Sequence, residues 1–243
     1  MLKKNKKWKD FSEFIDFANL HCNWVVIRNF EYLPNNFFSN DTDVDLLCDD
    51  LNHFVDKMCL RKRSWGVSSY ETFISGRLVF FDVRFIGDGY FDKLWQYKML
   101  KNKVYTSENV PRMNDEDYFF SLLYHIKIHK RKITYKYNDR LNDLSELLNI
   151  NISLKNLDFK EAKLAKVISL YMLKNNYKFT YPVDKSILIN SSFVKLLDFK
   201  VRKNKIFYPP FHVSVIKLIP SCLKNLTPIT FKNFIKNLLD GIK

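Results

Sequence analysis

The stretch Asn-Asp-Thr-Asp-Val-Asp-Leu-Leu at positions 40–47 constrains this chain more than any other. Side chains alternate along a strand, so Asp43 and Asp45, at the start of an apolar run, project from one face. Val44 and the leucines that follow can then turn to a core. A second strand-like run, LVFFDVRF at 78–85, sets Asp82 between Phe81 and Val83. A carboxylate inside such a run is costly unless it is paired or binds a cation. Three strand carboxylates in this pattern suit divalent-metal phosphoryl chemistry, in which the ions neutralise phosphate, align an attacking hydroxyl and steady the leaving oxygen. The plainer alternative makes Asp43 a turn residue and Asp45 a solvated carboxylate at a strand edge.

The hydrophobic periods on either side divide the chain near residue 110. Before it, β-rich and helical patterns alternate. Phe11, Phe14, Ile15 and Phe17 predict a helix over 11–20, and Trp24 to Ile27 a buried strand. A loop is expected over 31–40, a strand over 44–48 and a helix over 51–60. Residues 70–74 and 78–85 read as a hairpin around Ser75-Gly76-Arg77. After residue 110 the period is mostly helical. Asn114 suits an N-cap, Asp115 and Glu116 suit a first turn, and Tyr118, Phe119, Leu122, Leu123 and Ile126 form an apolar face. Further helices are expected at 137–149, 158–174 and 229–239. The expected fold class is α/β (α+β), with an α/β domain over 1–110 and a mainly helical region over 111–243 packed on it.

Hydrophobic residues make up 47% of the 243, enough for a packed core, which excludes a disordered chain. Cys22, Cys48, Cys59 and Cys222 lie in apolar stretches without a Cys-x-x-Cys pair, which points to free thiols rather than zinc ligands or disulfides. With no signal-like h-region and no run of about eighteen apolar residues, the expected location is cytoplasmic. The net charge of +14 gathers at Lys3 to Lys9, at Lys200 to Lys205 and in an apolar, lysine-bearing tail. That pattern suits peripheral docking on an anionic inner membrane surface, with nucleic acid as the lesser alternative. Coding bias in an AT-rich genome would give the same excess of Lys.

Several residues outside the carboxylates invite a role. Arg28-Asn29 follows a buried strand, where the planar guanidinium could hold a phosphate with Asn29 fixing its orientation. Gly87-Asp88-Gly89 reads as a tight turn and fits neither a Walker nor a Rossmann spacing. His125 and His129 share a helix face at i and i+4, but lack the Glu of a zinc-binding His-Glu-x-x-His. His125 and Lys130 are the expected substrate contacts there, against the simpler view that a helix C-terminus favours cationic residues. His21, His53 and His212 are read as structural, and 182–186 as a loop.

Over roughly residues 20–130 the chain resembles the nucleotidyltransferase superfamily with the DNA polymerase β type of fold. The resemblance rests on VVIRNFEYLPNNFFSNDTDVDLL, GDGYFDKLWQYKML and DYFFSLLYHIKIHK. These segments are similar to nucleotidyltransferase-like proteins of bacterial surface-polysaccharide synthesis. The Gly-Ser that usually precedes the Asp-x-Asp is absent here. The resemblance implies a mixed sheet with flanking helices, and Asp43, Asp45 and Asp82 as catalytic ligands of Mg²⁺ or Mn²⁺. It also implies a nucleotide or nucleotide-sugar donor and a sugar or lipid-linked glycan acceptor. The expected activity is therefore metal-dependent group transfer. Alternatives are a glycosyl- or phosphosugar transferase on the same fold, a nucleotidyltransferase toxin or resistance enzyme, and a non-catalytic nucleic-acid-binding module.

Overall fold

A computed structural model describes residues 7–40, 43–63, 67–130, 135–150 and 161–202. The expected helix at 229–239, the basic apolar tail, His212, Cys222 and the lysines at 3, 4, 6, 203 and 205 lie outside the described residues.

The described chain forms a mixed α/β structure around one sheet. In chain order the strands are β1 (Trp24–Val26), β2 (Asp43–Cys48), β3 (Arg61–Lys62), β4 (Ser69–Ile74), β5 (Arg77–Phe85), β6 (Val104–Tyr105) and β7 (Pro111–Arg112). They lie side by side in the order β3-β4-β5-β2-β1-β7-β6. Strands β2 and β5 run parallel, as do β1 and β7, and the other neighbours are antiparallel. The edge strands β3 and β6 are only two residues long, which leaves little open backbone for another chain to pair with. The expected hairpin is β4–β5, and Ile74 pairs with Arg77 across a two-residue turn. Ser75 and Gly76 in that turn have φ of 52° and 72°, the positive values that match hairpin twist. The expected boundary at 110 falls between β6 and β7, which pair with each other.

The helices are α1 (Phe11–His21), α2 (Phe37–Asn40), α3 (Leu51–Lys57), α4 (Lys93–Lys101), α5 (Asp115–Tyr124), α6 (Tyr135–Leu147), α7 (Glu161–Lys174), α8 (Ser191–Leu196) and α9 (Phe199–Arg202). Side chains cap four of the first five. Asp10, Asp50, Asp92 and Asn114 accept hydrogen bonds from backbone N–H groups of the first turns of α1, α3, α4 and α5. Helix α5 runs on into a π-helical turn over His125–His129.

Aromatic packing fixes the helices on the sheet. Phe14 of α1 stacks on Phe81 of β5 at 5.2 Å and meets Trp24 of β1 edge-on at 6.3 Å. Phe54 of α3 lies 6.0 Å from Trp24, so α1 and α3 share that face. A second cluster surrounds Trp95 of α4, which stacks on Tyr177 at 5.2 Å and contacts Phe91, Tyr124 and Tyr171. Phe120 of α5 stacks on Tyr171 of α7 at 3.7 Å. Asp117 joins the cluster by accepting from Trp95 Nε1 at 2.9 Å and from the Tyr171 hydroxyl at 2.8 Å. Rings of this size dominate core energetics through the area they bury, and these two indole and phenol dipoles each find an acceptor.

The turn after β5 is pinned from two sides. Gln96 of α4 accepts from Gly87 N at 2.8 Å and donates to Asp88 at 2.6 Å. The segment 180–184 lies over the same turn, with Thr180 donating to the Gly89 carbonyl and Val183 N to the Asp88 carbonyl. Gly89 has φ +73°, and a Cβ there would sit 2.2 Å from the Tyr181 carbonyl oxygen, whereas Gly87 at φ +90° faces open space. Gly87→Ala is therefore expected to cost the strain of a left-handed residue, about 1–2 kcal/mol. Gly89→Ala adds overpacking and should cost about 2–5 kcal/mol in urea unfolding. Equal losses would show that the 180–184 segment does not rest on this turn in solution.

Candidate functional site

The polar face of the sheet is built at the β2–β5 pair. Asp45 and Asp82 are direct register partners on these parallel strands, so their side chains leave the same face. Asp43 sits two residues before Asp45, opposite Phe80, and shares that face. Asp45 is not the solvated edge carboxylate of the plainer reading, because it is buried at 7% exposure.

Two arginines take up these carboxylates. Arg28 follows β1 and donates Nε to Asp45 Oδ2 at 2.9 Å, while its Nη2 pairs with Oδ1, giving a two-pronged bond. Burial alone would lower the Arg28 guanidinium, but Asp45 and then Tyr90 hold it well above its ordinary pKa. Arg84 lies two residues after Asp82 on β5 and donates Nη2 to Asp82 Oδ2 at 2.6 Å. Both arginines also address Tyr90. Arg28 Nη1 donates to the Tyr90 hydroxyl at 3.3 Å, and the Arg84 Cζ stands 4.2 Å from the ring centroid.

Tyr90 passes this network to the π-helical turn. Its hydroxyl bonds His125 Nδ1, and its ring lies 4.0 Å from the His129 ring. Burial, followed by the charges of Arg28 and of the neighbouring His129, pushes the His125 pKa well below the usual histidine range. His129 is lowered in the same way by burial, then Arg84 and Arg28. The imidazoles are therefore neutral at pH 7. Burial likewise raises the Asp88 carboxyl, partly countered by its bond from Tyr90 N.

The other sequence-picked residues lie apart from this network. Asn29 has a left-handed φ of 58°, and its Oδ1 accepts from Arg140 Nη1 at 3.1 Å instead of orienting Arg28. Lys130 is exposed, with Nζ 5.1 Å from the Tyr137 ring centroid. The 182–186 loop is fastened by Asp184, which accepts from Ser68 at 3.1 Å and from Ser186 at 2.6 Å. Beside Asn29 opens a cleft of about 520 Å³ lined by Phe30, Glu31, Tyr118, Asp139, Arg140 and Asp143 among others. Arg84, Tyr90 and His129 were not among the expected site residues. Arg84 was findable, since the spacing Asp82-Val83-Arg84 puts both charges on one strand face.

Comparison with family models, curated proteins and solved structures finds no match to this chain. Among the described residues, no group of three or more His, Cys, Asp or Glu side chains is set at ion-holding positions.

The Arg28–Asp45 pair should reveal itself through its asymmetry. Arg28→Met strands a buried carboxylate and should cost about 3–5 kcal/mol, whereas Arg28→Met with Asp45→Leu should recover most of that loss. Urea unfolding of the two variants checks this. Additive losses would show that the two residues do not meet.

The histidines predict a pH dependence. Both pKa values are depressed on folding, so the unfolded chain takes up protons first as pH falls below about 6.5. Stability should therefore decline on acidification below that point, by up to about 1.4 kcal/mol per pH unit for each histidine. His129→Phe should flatten the dependence in urea midpoints taken between pH 7.5 and 5, and an unchanged slope would mean His129 is solvated.

Proposed function

We propose that this chain is a Mg²⁺-dependent transferase with a nucleotidyltransferase type of active site, moving a group from a nucleotide or nucleotide-sugar donor to a sugar or lipid-linked glycan acceptor. The observation that carries the reading is the register of Asp45 against Asp82, with Asp43 on the same face. This register puts three carboxylates, oxygen donors of the type Mg²⁺ takes, on one face of the β2–β5 pair. Each carboxylate oxygen held by a guanidinium keeps a second lone pair, so pairing with arginine leaves acceptor capacity. Arg28 already balances Asp45, and Arg84 balances Asp82. An added Mg²⁺ is best accommodated together with the phosphates it would accompany.

In this reading Asp43, Asp45 and Asp82 hold the ion, which supplies charge neutralisation at the phosphoryl oxygens. Arg28, fixed by Asp45 and Tyr90, keeps the carboxylate pair in place and sets positive charge beside the transferred group. Asp82, facing the same side, orients or deprotonates the acceptor hydroxyl. The cleft beside Asn29 offers what a sugar requires, with Phe30 and Tyr118 for ring packing and Asp139 and Asp143 to accept from hydroxyls. The neighbouring Arg140 ties this cleft to the Arg28-Asn29 corner. Among the described residues no helix is long and apolar enough to cross a membrane.

The test follows release of pyrophosphate or nucleoside diphosphate from a panel of nucleoside triphosphates and nucleotide sugars, with and without Mg²⁺. Asp43 is exposed at the mouth of β2, so Asp43→Asn should leave thermal unfolding nearly unchanged. Its turnover should fall by about 10²–10³-fold or more, in line with removal of one electrostatic contact to the reacting charge. Near-normal turnover by Asp43→Asn would return the carboxylates to a structural role.

A further inference from the structure

We propose that the end of the β4–β5 hairpin is a docking surface for an anionic lipid membrane, because exposed apolar and basic side chains gather there. Phe73 and Leu78 are cross-strand partners next to the turn, and each is 40% exposed. Alternation along β5 puts Leu78 on the sheet face that carries Asp82, away from the face on which Phe81 meets α1. Beside the turn, Phe38 of α2 is 37% exposed, with the Arg77 guanidinium carbon 4.9 Å from its ring centroid. The segment before α1 runs along the same end of the sheet. Trp8 N donates to the Phe73 carbonyl at 3.0 Å, and Ser75 N to the Trp8 carbonyl at 3.1 Å. Lys7 and Lys9 are exposed on either side of the buried Trp8, and Lys7 Nζ stands 5.9 Å from the Phe73 ring centroid.

Apolar side chains exposed singly need no explanation, but three grouped at one turn, two of them with a cation against the ring, mark an interaction surface. The charges select its partner. Lys7, Lys9 and Arg77 supply three cations, and Lys3, Lys4 and Lys6 precede them in sequence. Asp10 and Glu13, close by in the chain, are engaged at the start of α1, where Asp10 accepts from Glu13 N and Glu13 from Lys9 N. The chain's own end after Arg202 makes a poor cover for this surface, since it carries seven lysines and a single acid, Asp240. A lipid interface suits both kinds of residue, with apolar side chains entering the headgroup–acyl boundary and cations meeting anionic headgroups. Single-stranded nucleic acid would stack bases on successive rings, whereas Leu78 has no ring and Arg77 lies over that of Phe38. Along β5, Asp82 lies four residues from Leu78, about 13 Å of extended strand. Docking would therefore hold the carboxylates within reach of a group borne on a lipid headgroup.

The inference stands apart from the transferase reading, and its test reads binding alone. The full chain is co-sedimented with vesicles of phosphatidylcholine, with and without phosphatidylglycerol, at low and high salt. Binding is expected to the anionic vesicles and to weaken as salt screens the cations. Phe73→Thr with Leu78→Thr keeps strand-favouring residues in the hairpin. That double variant should weaken binding about 10-fold or more, with thermal unfolding nearly unchanged. Lys7→Gln with Arg77→Gln should weaken it about 25-fold, since each cation near such a surface is worth about fivefold. Leu20→Gln, which changes an exposed apolar residue near the other end of α1, should leave binding as it is. Amide exchange across 74–78 should slow when vesicles are bound. Equal recovery with neutral and anionic vesicles, or equal binding by the Phe73→Thr, Leu78→Thr variant and the unaltered chain, would overturn the proposal. A single-stranded oligonucleotide that binds and is lost in the same variant, while vesicles are ignored, would assign the surface to nucleic acid instead. A chain that docks on vesicles yet transfers nothing would count against the transferase reading alone.

Discussion

The buried pair of Arg28 and Asp45 is the interaction on which the polar half of this protein depends. Neither charge can be taken out of water alone without a penalty of several kcal/mol. Together they satisfy each other through two parallel hydrogen bonds, with the third guanidinium nitrogen spent on Tyr90. The pair fastens the end of β1 to the start of β2, next to the backbone bond from Ile27 to the Asp45 carbonyl. Through Tyr90 it also reaches the turn after β5 and His125 beyond α5. One ion pair thus sets the spacing between the sheet face and the helical layer that covers it.

The two sides of the sheet solve different problems. Around Trp24, Phe14, Phe81 and Phe54, burial is apolar, and edge-on and stacked rings fill the volume. Around Arg28 and Arg84, burial is polar, and each charge needs a partner at a fixed angle. The first side tolerates exchange among similar hydrophobes, at a cost set mainly by volume. The second tolerates little, because removing one partner leaves the other charged in a low-dielectric setting. On that side buried nitrogens of His125, His129 and Arg84 have no hydrogen-bond partner, so its polar packing is less complete than the apolar packing opposite.

Much of the fold was legible in local pattern. Helix α1, the β4–β5 hairpin and the Asn114 cap of α5 follow from apolar spacing, a positive-φ turn and a side chain suited to an N-terminus. Strands β3, β6 and β7 were not legible. Each is two residues long, and pairing with a neighbour, rather than any residue preference, makes it a strand. The loop expected over 31–40 contains a 3₁₀ turn at 30–32 and the four-residue α2, both too short for a periodic signal. Of the site, the carboxylates and Arg28 could be named in advance because charge inside apolar strands is conspicuous. Tyr90 could not, since an aromatic after a glycine turn looks like an ordinary core residue, and the sequence shows His129 only as the i+4 partner of His125, with no signal for its contact with Tyr90.

What the sequence by itself determined is which face of each strand the charges occupy. Alternation along β2 and β5 is a local property of extended backbone, so Asp43 with Asp45, and Asp82 with Arg84, follow from spacing alone. What only the tertiary structure decided is who partners whom. The parallel register sets Asp45 opposite Asp82, and the chain's return after β1 delivers Arg28 to a carboxylate seventeen positions later. The π-helical turn then lowers His125 and His129 onto Tyr90. Those meetings join residues distant along the chain, and they depend on packing geometry summed over the whole core, which no local pattern encodes.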